Sequence, residues 1–113
     1  MAVDSSSTDG PRRLPESVID DLLADPRREV IVQSLHEHDE PIPVIQLAAN
    51  VIARERSMDV DDTSRSECQR VAENLYEHHL PKLTATAVVR YNSRQASIEL
   101  DDAAPQLFDR VGQ

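Results

Sequence analysis

Apolar residues recur at helical spacing in four stretches of the chain and alternate with polar residues in a fifth. The first stretch begins at Leu14, and its helix is predicted to end before Pro26, because proline disfavours helical backbone in the residue before it. Asp25 then suits the N-cap of a second helix, which runs from Pro26 to His38. The core-facing positions of these two helices are Val18, Ile19, Leu22, Leu23, Val30, Ile31 and Leu35.

Two prolines interrupt the helical pattern after the second helix. They fall within residues 39–43, which are therefore predicted to be extended and to form at most an edge strand. Helical spacing resumes from Val44 to Arg56 and is followed by a polar, acidic connection over residues 57–63. Met58 and Val60 are the expected anchors of that connection.

A longer amphipathic helix follows, with Ser64 or Ser66 as its N-cap. Pro81 lacks an amide donor and crowds the carbonyl four residues back, so a kink or a break is predicted there. The apolar stripe of the helix consists of Cys68, Val71, Ala72, Leu75 and His79. Beyond the proline the buried side continues through Leu80, Leu83 and Ala87.

The end of the pattern predicts a hairpin and a short helix. Residues 88–91 and 96–100 are predicted strands, the second with Ala96, Ile98 and Leu100 inward and its polar residues outward. The turn over residues 92–95 lacks glycine, which favours a four-residue loop over a two-residue one. Asp101 or Asp102 is the predicted cap of a last helix, whose apolar residues are Leu107, Phe108 and Val111.

This order of elements predicts a mainly α fold with a small β-hairpin (α+β), a winged helix-turn-helix. In that fold a helix presented to a partner is followed directly by a hairpin. Residues 14–113 are predicted to form this single domain. Residues 1–13, rich in Ser, Asp, Gly and Pro, are predicted to be a disordered tail. The arginines at its end, Arg12 and Arg13, are either solvated or an arm that reaches DNA.

The charge balance indicates the ionic conditions under which such a domain would work. Asp and Glu number 21 against 12 basic residues, the net charge is −9, and Lys82 is the only lysine. This composition resembles that of salt-in halophiles, especially haloarchaea, although an ordinary acidic protein is the alternative. At molar salt the Debye length is about 3 Å, so an acidic surface repels little there. With no signal-like apolar segment and no bilayer-spanning run, a cytoplasmic protein without membrane contact is expected.

Two segments carry a family resemblance, LLADPRREVIVQSLHEHDEPIPVIQLAANVIARE over residues 22–55 and NLYEHHLPKLTATAVVRYN over residues 74–92. They resemble small, largely uncharacterised haloarchaeal winged-helix domains and, more distantly, arsenic-repressor-like transcription regulators, over about residues 14–100. The resemblance implies that the helix before the wing inserts into the major groove and that the protein acts as a homodimer. Relatives usually have a glycine at the bend before the wing, where this chain has Ala87, so a differently built bend is expected.

The candidate DNA-binding residues lie on the long helix, beyond Pro81 and in the hairpin turn. Arginine can bond guanine in a bidentate manner, and Gln or Asn can do so with adenine. The candidates are Arg65, Gln69, Arg70, Asn74, Lys82 and Arg94, with Arg90 as a further backbone contact. Carboxylates on the same helix repel phosphates unless they are screened or paired; these are Glu67, Glu73 and Glu77. A solvated or protein-binding face is therefore the alternative.

Other chemistry finds less support in the sequence. Cys68, the single cysteine, excludes an internal disulfide and is expected to be a buried small hydrophobe rather than a redox switch. A zinc site needs three or four converging ligands, but no pair of cysteines exists and the two histidine pairs, His36 with His38 and His78 with His79, lie on different predicted helices. His79 is expected to be a satisfied core residue, so no metal or cofactor is predicted. No catalytic motif is present. The prediction is a non-enzymatic transcription regulator that binds duplex DNA; the alternative is a protein-interaction module of the same fold.

Overall fold

The computed structural model describes residues 13–111, which form a mainly helical fold with a small three-stranded antiparallel sheet. The predicted order of helix, helix, extended segment, helix, helix, hairpin and helix is confirmed. The predicted tail lies outside the described residues, apart from Arg13. The helices are α1 (Glu16–Leu23), α2 (Pro26–His38), α3 (Val44–Arg56), α4 (Arg65–Asn74), α5 (Leu80–Ala85) and α6 (Pro105–Phe108). The strands are β1 (Ile42–Pro43), β2 (Val89–Asn92) and β3 (Ser97–Leu100).

Side-chain caps define where two of the helices begin. The Asp25 side chain accepts a hydrogen bond from the amide of Arg27 at 2.9 Å, as expected of the N-cap of α2. Ser64, rather than Ser66, caps α4, because its hydroxyl accepts from the amide of Glu67 at 3.1 Å. The predicted bounds of α2 and α3 agree with the structure at both ends.

The sheet has the strand order β1-β3-β2, so β1 is an edge strand, as its prolines led us to expect. Ile42 lies opposite Ile98, and Pro43 lies opposite Ser97. The hairpin β2–β3 pairs Val89 with Leu100 at its base. The sheet therefore links the segment before α3 to the hairpin that follows α5.

The predicted interruption at Pro81 takes the form of a π-helical turn over Leu75–His79, which joins α4 to α5. Pro81 has no amide proton and would crowd the carbonyl four residues back in a regular α-helix. The wider turn accommodates this, and the Leu80 amide bonds to the Leu75 carbonyl five residues back. The helix therefore passes Pro81 with a local widening, and its buried side continues through Leu80 and Leu83.

The core is aliphatic and collects one face of each long helix. The predicted stripe of the α4 region is buried throughout, at Cys68, Val71, Ala72, Leu75 and His79. Met58 and Val60 are half-buried against the core, as predicted for the anchors of the α3–α4 connection. Fully buried side chains from the other elements include Leu22, Ile31, Leu35, Leu47, Val51, Leu83, Val88, Ile98 and Leu107.

The hairpin differs from the predicted one by one residue. Its turn has four residues, as expected, but they are 93–96, and Asn92 belongs to β2. Ala96 has φ 50° and is exposed, whereas Ser97 is 5% exposed, so the predicted alternation is wrong at these two positions. The positive φ ends the turn at Ala96 and rotates it away from the strand face that Ile98 occupies.

The predicted cap of the last helix is also wrong. Ala104 precedes α6, and Pro105 is its first residue. The Asp101 side chain instead accepts from the amide of Asp102 at 2.8 Å, and Ala103 and Ala104 are buried in the turn that follows. Leu107 is buried as predicted, and Phe108 stacks on His36 of α2 with ring centroids 3.9 Å apart.

Ala87 takes the backbone conformation that the resemblance assigns to glycine. Its φ is 62°, so the expectation of a differently built bend is wrong. Its amide bonds to the Thr84 carbonyl, its carbonyl accepts from Ala103, and the neighbouring Val88 is fully buried. A Cβ in this region costs about 1–2 kcal/mol, which the surrounding contacts must offset.

Replacing Ala87 with glycine is therefore expected to stabilise the fold. Relief of the left-handed strain exceeds the greater unfolded-state entropy of glycine, for a net increase of about 0.5–1 kcal/mol in the free energy of unfolding. Ala85→Gly is the matched control, since Ala85 is helical and exposed, and it should lose about 1 kcal/mol. Urea unfolding of both variants measures the difference, and destabilisation by Ala87→Gly would contradict the strain.

Candidate nucleic-acid interface

The outward face of α4 carries the central candidates. Cys68 and Val71 point into the core, and successive helical residues are rotated by about 100°. The opposite side of α4 therefore presents Gln69, Arg70 and Glu73, all of which are exposed. Two predicted contacts and one carboxylate thus share one solvent-facing surface.

Asn74 lies on the flank of α4 that faces α2 and α3, where it is partly buried. Arg27 donates from one guanidinium nitrogen to Asn74 Oδ1 at 2.8 Å and from two others to the Glu55 carboxylate, at 2.7 and 3.1 Å. The hydrogen bond and charge of Glu55 raise the pKa of Arg27, although burial opposes this. A bidentate adenine contact needs both ends of the amide, so here the Asn74 NH₂ group is free for a ligand, whereas its oxygen already accepts one bond from Arg27.

Two of the predicted basic contacts are paired with carboxylates. Lys82 lies 3.3 Å from Asp21 of α1. Arg90 on β2 lies 3.5 Å from Glu99 and 3.6 Å from Asp101. These exposed ion pairs are weak and exchangeable, but they neutralise both cations in this structure.

The three carboxylates that oppose DNA binding have unequal surroundings. Glu67 forms an ion pair with Arg56 and belongs to the capping contacts with Ser64. Glu77 lies 3.8 Å from His78 on the same helical turn. Among residues 13–111, Glu73 has no ion-pair partner. One fully unpaired carboxylate therefore remains on the outward face of α4.

The hairpin turn presents Arg94. Asn92 Oδ1 accepts from the amides of Arg94 and Gln95, at 3.0 and 3.3 Å, which fixes the turn backbone. The Arg94 side chain is exposed and forms no ion pair with any described residue. Close to its turn, the hairpin contacts the helical segment through Tyr91, whose ring meets that of Tyr76 edge to face at 5.8 Å.

The exposed arginines without carboxylate partners are concentrated on these elements. Within residues 14–111, each other exposed or half-buried Arg or Lys forms an ion pair, and the buried Arg28 bonds to backbone carbonyls. The three that remain in this range are Arg65, Arg70 and Arg94, on α4 and the hairpin turn, and Arg13, which precedes α1, is a fourth exposed arginine without an ion pair among the described residues. The predicted interface thus holds three of the four unpaired arginines of an otherwise acidic domain.

A buried polar cluster connects α1, α2 and the π turn. Arg28 is 7% exposed and donates to the carbonyls of Leu22 and Asp21 at 2.7 and 2.9 Å, which caps the end of α1. Its third contact is His79 Nδ1, at 3.3 Å. A guanidinium can only donate, so Nδ1 accepts and the imidazole, which is 4% exposed, is neutral. His79 is thus a satisfied core residue, as predicted.

Burial is the main reason why the pKa of His79 lies below its ordinary value. Asp25, whose Oδ2 is 4.0 Å from His79 Nε2, opposes the shift, while the charges of Arg28, Arg27 and His78 add to it. The unfolded chain protonates this imidazole near its ordinary pKa of about 6.5, and the folded chain does so at lower pH. The unfolded state thus binds more protons in that range.

The stability of the domain should therefore fall as the pH drops below about 6.5 toward the folded-state pKa of His79. Urea unfolding at a series of pH values measures this loss, and the His79→Gln variant should show a shallower decrease over the same range. NMR titration of the imidazole follows the group itself. Equal pH dependence in the two proteins would contradict the assignment.

The remaining chemistry of the described residues is limited. Cys68 is buried, and its thiol lies 3.4 Å from the Thr63 hydroxyl. Within residues 13–111, no three His, Cys, Asp or Glu side chains are grouped so that they could hold a metal ion. In the same residues no helix is both long and apolar enough to span a bilayer.

The fold and the surface define a small α+β domain with a helix-and-hairpin face that bears unpaired arginines. Over residues 20–99 the sequence matches DUF7344, a domain of unknown function, and the chain belongs to that family. No curated protein and no solved structure matches the chain. The family has no assigned activity, and the exposed surface of α4 and the hairpin turn is the feature that indicates a function.

Proposed function

We propose that the domain is a winged helix-turn-helix that binds duplex DNA. The topology supports this assignment: α2, β1, α3, α4, β2 and β3 follow one another, and β1 pairs with β3 of the hairpin. The α3–α4 pair would be the helix-turn-helix, α4 the reading helix and the β2–β3 hairpin the wing.

The observation that carries the proposal is the position of the unpaired arginines. Arg65 and Arg70 on α4 and Arg94 in the hairpin turn have no carboxylate partner among the described residues, although the chain has 21 acidic residues. Phosphates are the partner that such cations favour, and neutralising them releases counterions from DNA. An acidic domain that leaves these three arginines unpaired has a surface suited to an anionic ligand.

The proposed roles follow from the chemistry of each side chain. Arg65 and Arg70 would bond guanine O6 and N7 in the major groove, and Gln69 would bond adenine. Asn74, with its oxygen held by Arg27, would donate from its NH₂ group to a base nitrogen or a phosphate. Arg94 would contact the backbone, and Lys82 and Arg90 would do so only after leaving their carboxylate partners.

The acidity of the rest of the chain fits a high-salt setting. At molar salt the repulsion between Glu73 or Glu77 and phosphates is screened within about 3 Å, whereas direct arginine–base bonds persist. We therefore assign the protein to a halophilic archaeon, as a cytoplasmic transcription regulator. A homodimer would bind two half-sites, with α1 or α6 at its interface.

Gel-shift titration against genomic fragments, from about 0.1 M to about 1 M KCl, tests the proposal. A saturable shift with a preferred fragment is the expected result, and its stoichiometry reports whether a dimer binds. Absence of a shift over the whole salt range would exclude DNA binding. Occupancy mapping of the tagged protein across the genome would then identify the operator.

A second candidate function is a protein-interaction module that keeps the fold without binding DNA. Glu73 and Glu77 favour it, because both are exposed on the face that would meet phosphates. Co-purification from native cells separates the two functions. A stoichiometric protein partner without DNA enrichment would favour this module, and recovery of DNA alone would favour the regulator.

A further inference from the structure

The two tyrosines of the chain lie together at the junction of the helix and the hairpin. Tyr76 belongs to the π turn, and Tyr91 belongs to β2. Their rings meet edge to face at 5.8 Å, and their hydroxyl oxygens are 3.4 Å apart. Both remain exposed, at 40% and 38%, although the core of this domain has few aromatic residues. Exposed tyrosine pairs are typical of contact surfaces rather than cores.

The hydroxyl contact leaves one proton free for a ligand. Whichever hydroxyl donates to the other, the acceptor retains its own O–H group. Burial and the bond to Tyr91 raise the pKa of Tyr76 to about 12, so it stays a neutral donor at neutral pH. A neutral donor suits an anionic acceptor such as a phosphate oxygen.

The pair also connects α4 to the turn that bears Arg94. Tyr91 precedes Asn92, whose side chain holds the turn backbone at Arg94. Arg65 and Tyr76 are eleven positions apart (76 − 65), about three helical turns, and so lie on the same flank of the helical segment. The pair therefore shares its flank of the molecule with cations that have no carboxylate partner among the described residues, which favours an anionic occupant.

We propose that the Tyr76–Tyr91 pair donates a hydrogen bond to a DNA backbone phosphate between the sites of α4 and the wing. The pair also holds the hairpin at a fixed position relative to α4. This inference rests on the proposed function. The contact is neutral, so it adds affinity without releasing a counterion, and it carries no sequence information.

The test measures affinity for a preferred duplex as a function of KCl concentration. Tyr76→Phe and Tyr91→Phe keep both rings and remove one hydroxyl each, and the remaining hydroxyl can still donate, so the double variant, which has neither, should weaken binding by about tenfold. The slope of affinity against salt should stay at the wild-type value, whereas Arg94→Ala should reduce it by about one. Ser57→Ala, which removes an exposed hydroxyl at the end of α3, is the control and should bind like the wild type. Thermal unfolding in parallel verifies that each variant is folded.

Each outcome decides one claim. Weaker binding by folded Tyr→Phe variants, with an unchanged slope, supports the phosphate contact. Wild-type affinity in the double Tyr→Phe variant overturns it and leaves the proposed function standing. A reduced slope of affinity against salt also overturns it, because the hydroxyls would then contribute by holding Arg94 in position for its own phosphate contact. If the wild-type protein binds no duplex, both the contact and the proposed function are wrong.

Discussion

Replacing Arg28 with methionine is expected to lower the free energy of unfolding by about 2–4 kcal/mol, a large part of the stability of a domain this size. The guanidinium is 7% exposed and satisfies the carbonyls of Leu22 and Asp21 together with His79 Nδ1. Methionine fills much of the same volume but donates no hydrogen bond. Two buried acceptors, the Leu22 carbonyl and His79 Nδ1, would therefore lose this partner, and the part-buried Asp21 carbonyl would keep only its bond from the Ala24 amide.

Arg54→Met is the matched control for this loss. Arg54 also forms two side-chain bonds, to Gln33 and Glu37, but its side chain is 38% exposed. Water replaces those partners, so the expected loss is about 0–1 kcal/mol. Urea or thermal unfolding compares the two variants, and the Arg28 variant should melt at least about 10 °C lower. Equal losses would mean that burial does not set the contribution of Arg28.

The second large effect concerns binding. Arg70→Ala combined with Arg94→Ala should weaken duplex binding by about 3–6 kcal/mol, a hundredfold or more, and reduce the salt slope by about two if both contact phosphates. If Arg70 bonds only bases, the salt slope of the affinity falls by about one, and the protein discriminates less between bases at one position of its site. The double variant leaves the core untouched, because both side chains are exposed.

Two substitutions at paired arginines control for the change in net charge. Arg54→Ala with Arg110→Ala removes the same two positive charges, but these arginines pair with Glu37 of α2 and with Glu16 and Asp20 of α1, outside the candidate surface. Binding by this control should remain within a few-fold of the wild type, as expected when only the long-range field changes. Equal weakening of both double variants would show that net charge, rather than the unpaired arginines, governs affinity.

Much of the fold could be predicted from local pattern alone. Asp25-Pro26 marks the start of α2 because a capping carboxylate and a proline both favour that backbone, and the stripe from Cys68 to His79 is buried as its spacing requires. Positions that depend on backbone strain were missed. The left-handed conformations of Ala87 and Ala96 come from the tertiary packing of the hairpin, and the preference of alanine argues against both.

The candidate surface was predictable only as a set of side chains on a helix and a turn. The sequence could not show that Arg27 holds Asn74 or that Asp21 pairs with Lys82, because the partners are 47 and 61 residues apart in the chain. Arg28 looked like any polar residue of an amphipathic helix, although it is buried. The sequence also gives no sign that Tyr76 and Tyr91 are in contact. Its only hint is that the chain has few aromatic residues, two Tyr and one Phe.

The edge strand β1 restricts how two copies of this domain could associate. The Val44 amide points inward and bonds to the Ala96 carbonyl, so the amides at positions 41 and 43 would point outward, by strand alternation. Both positions are proline, and neither has a proton to donate. A strand added from another molecule would find no donor on this edge. Sheet extension through β1 is therefore closed to domain swapping and fibre growth, which leaves assembly to the helices and to the other edge strand, β2.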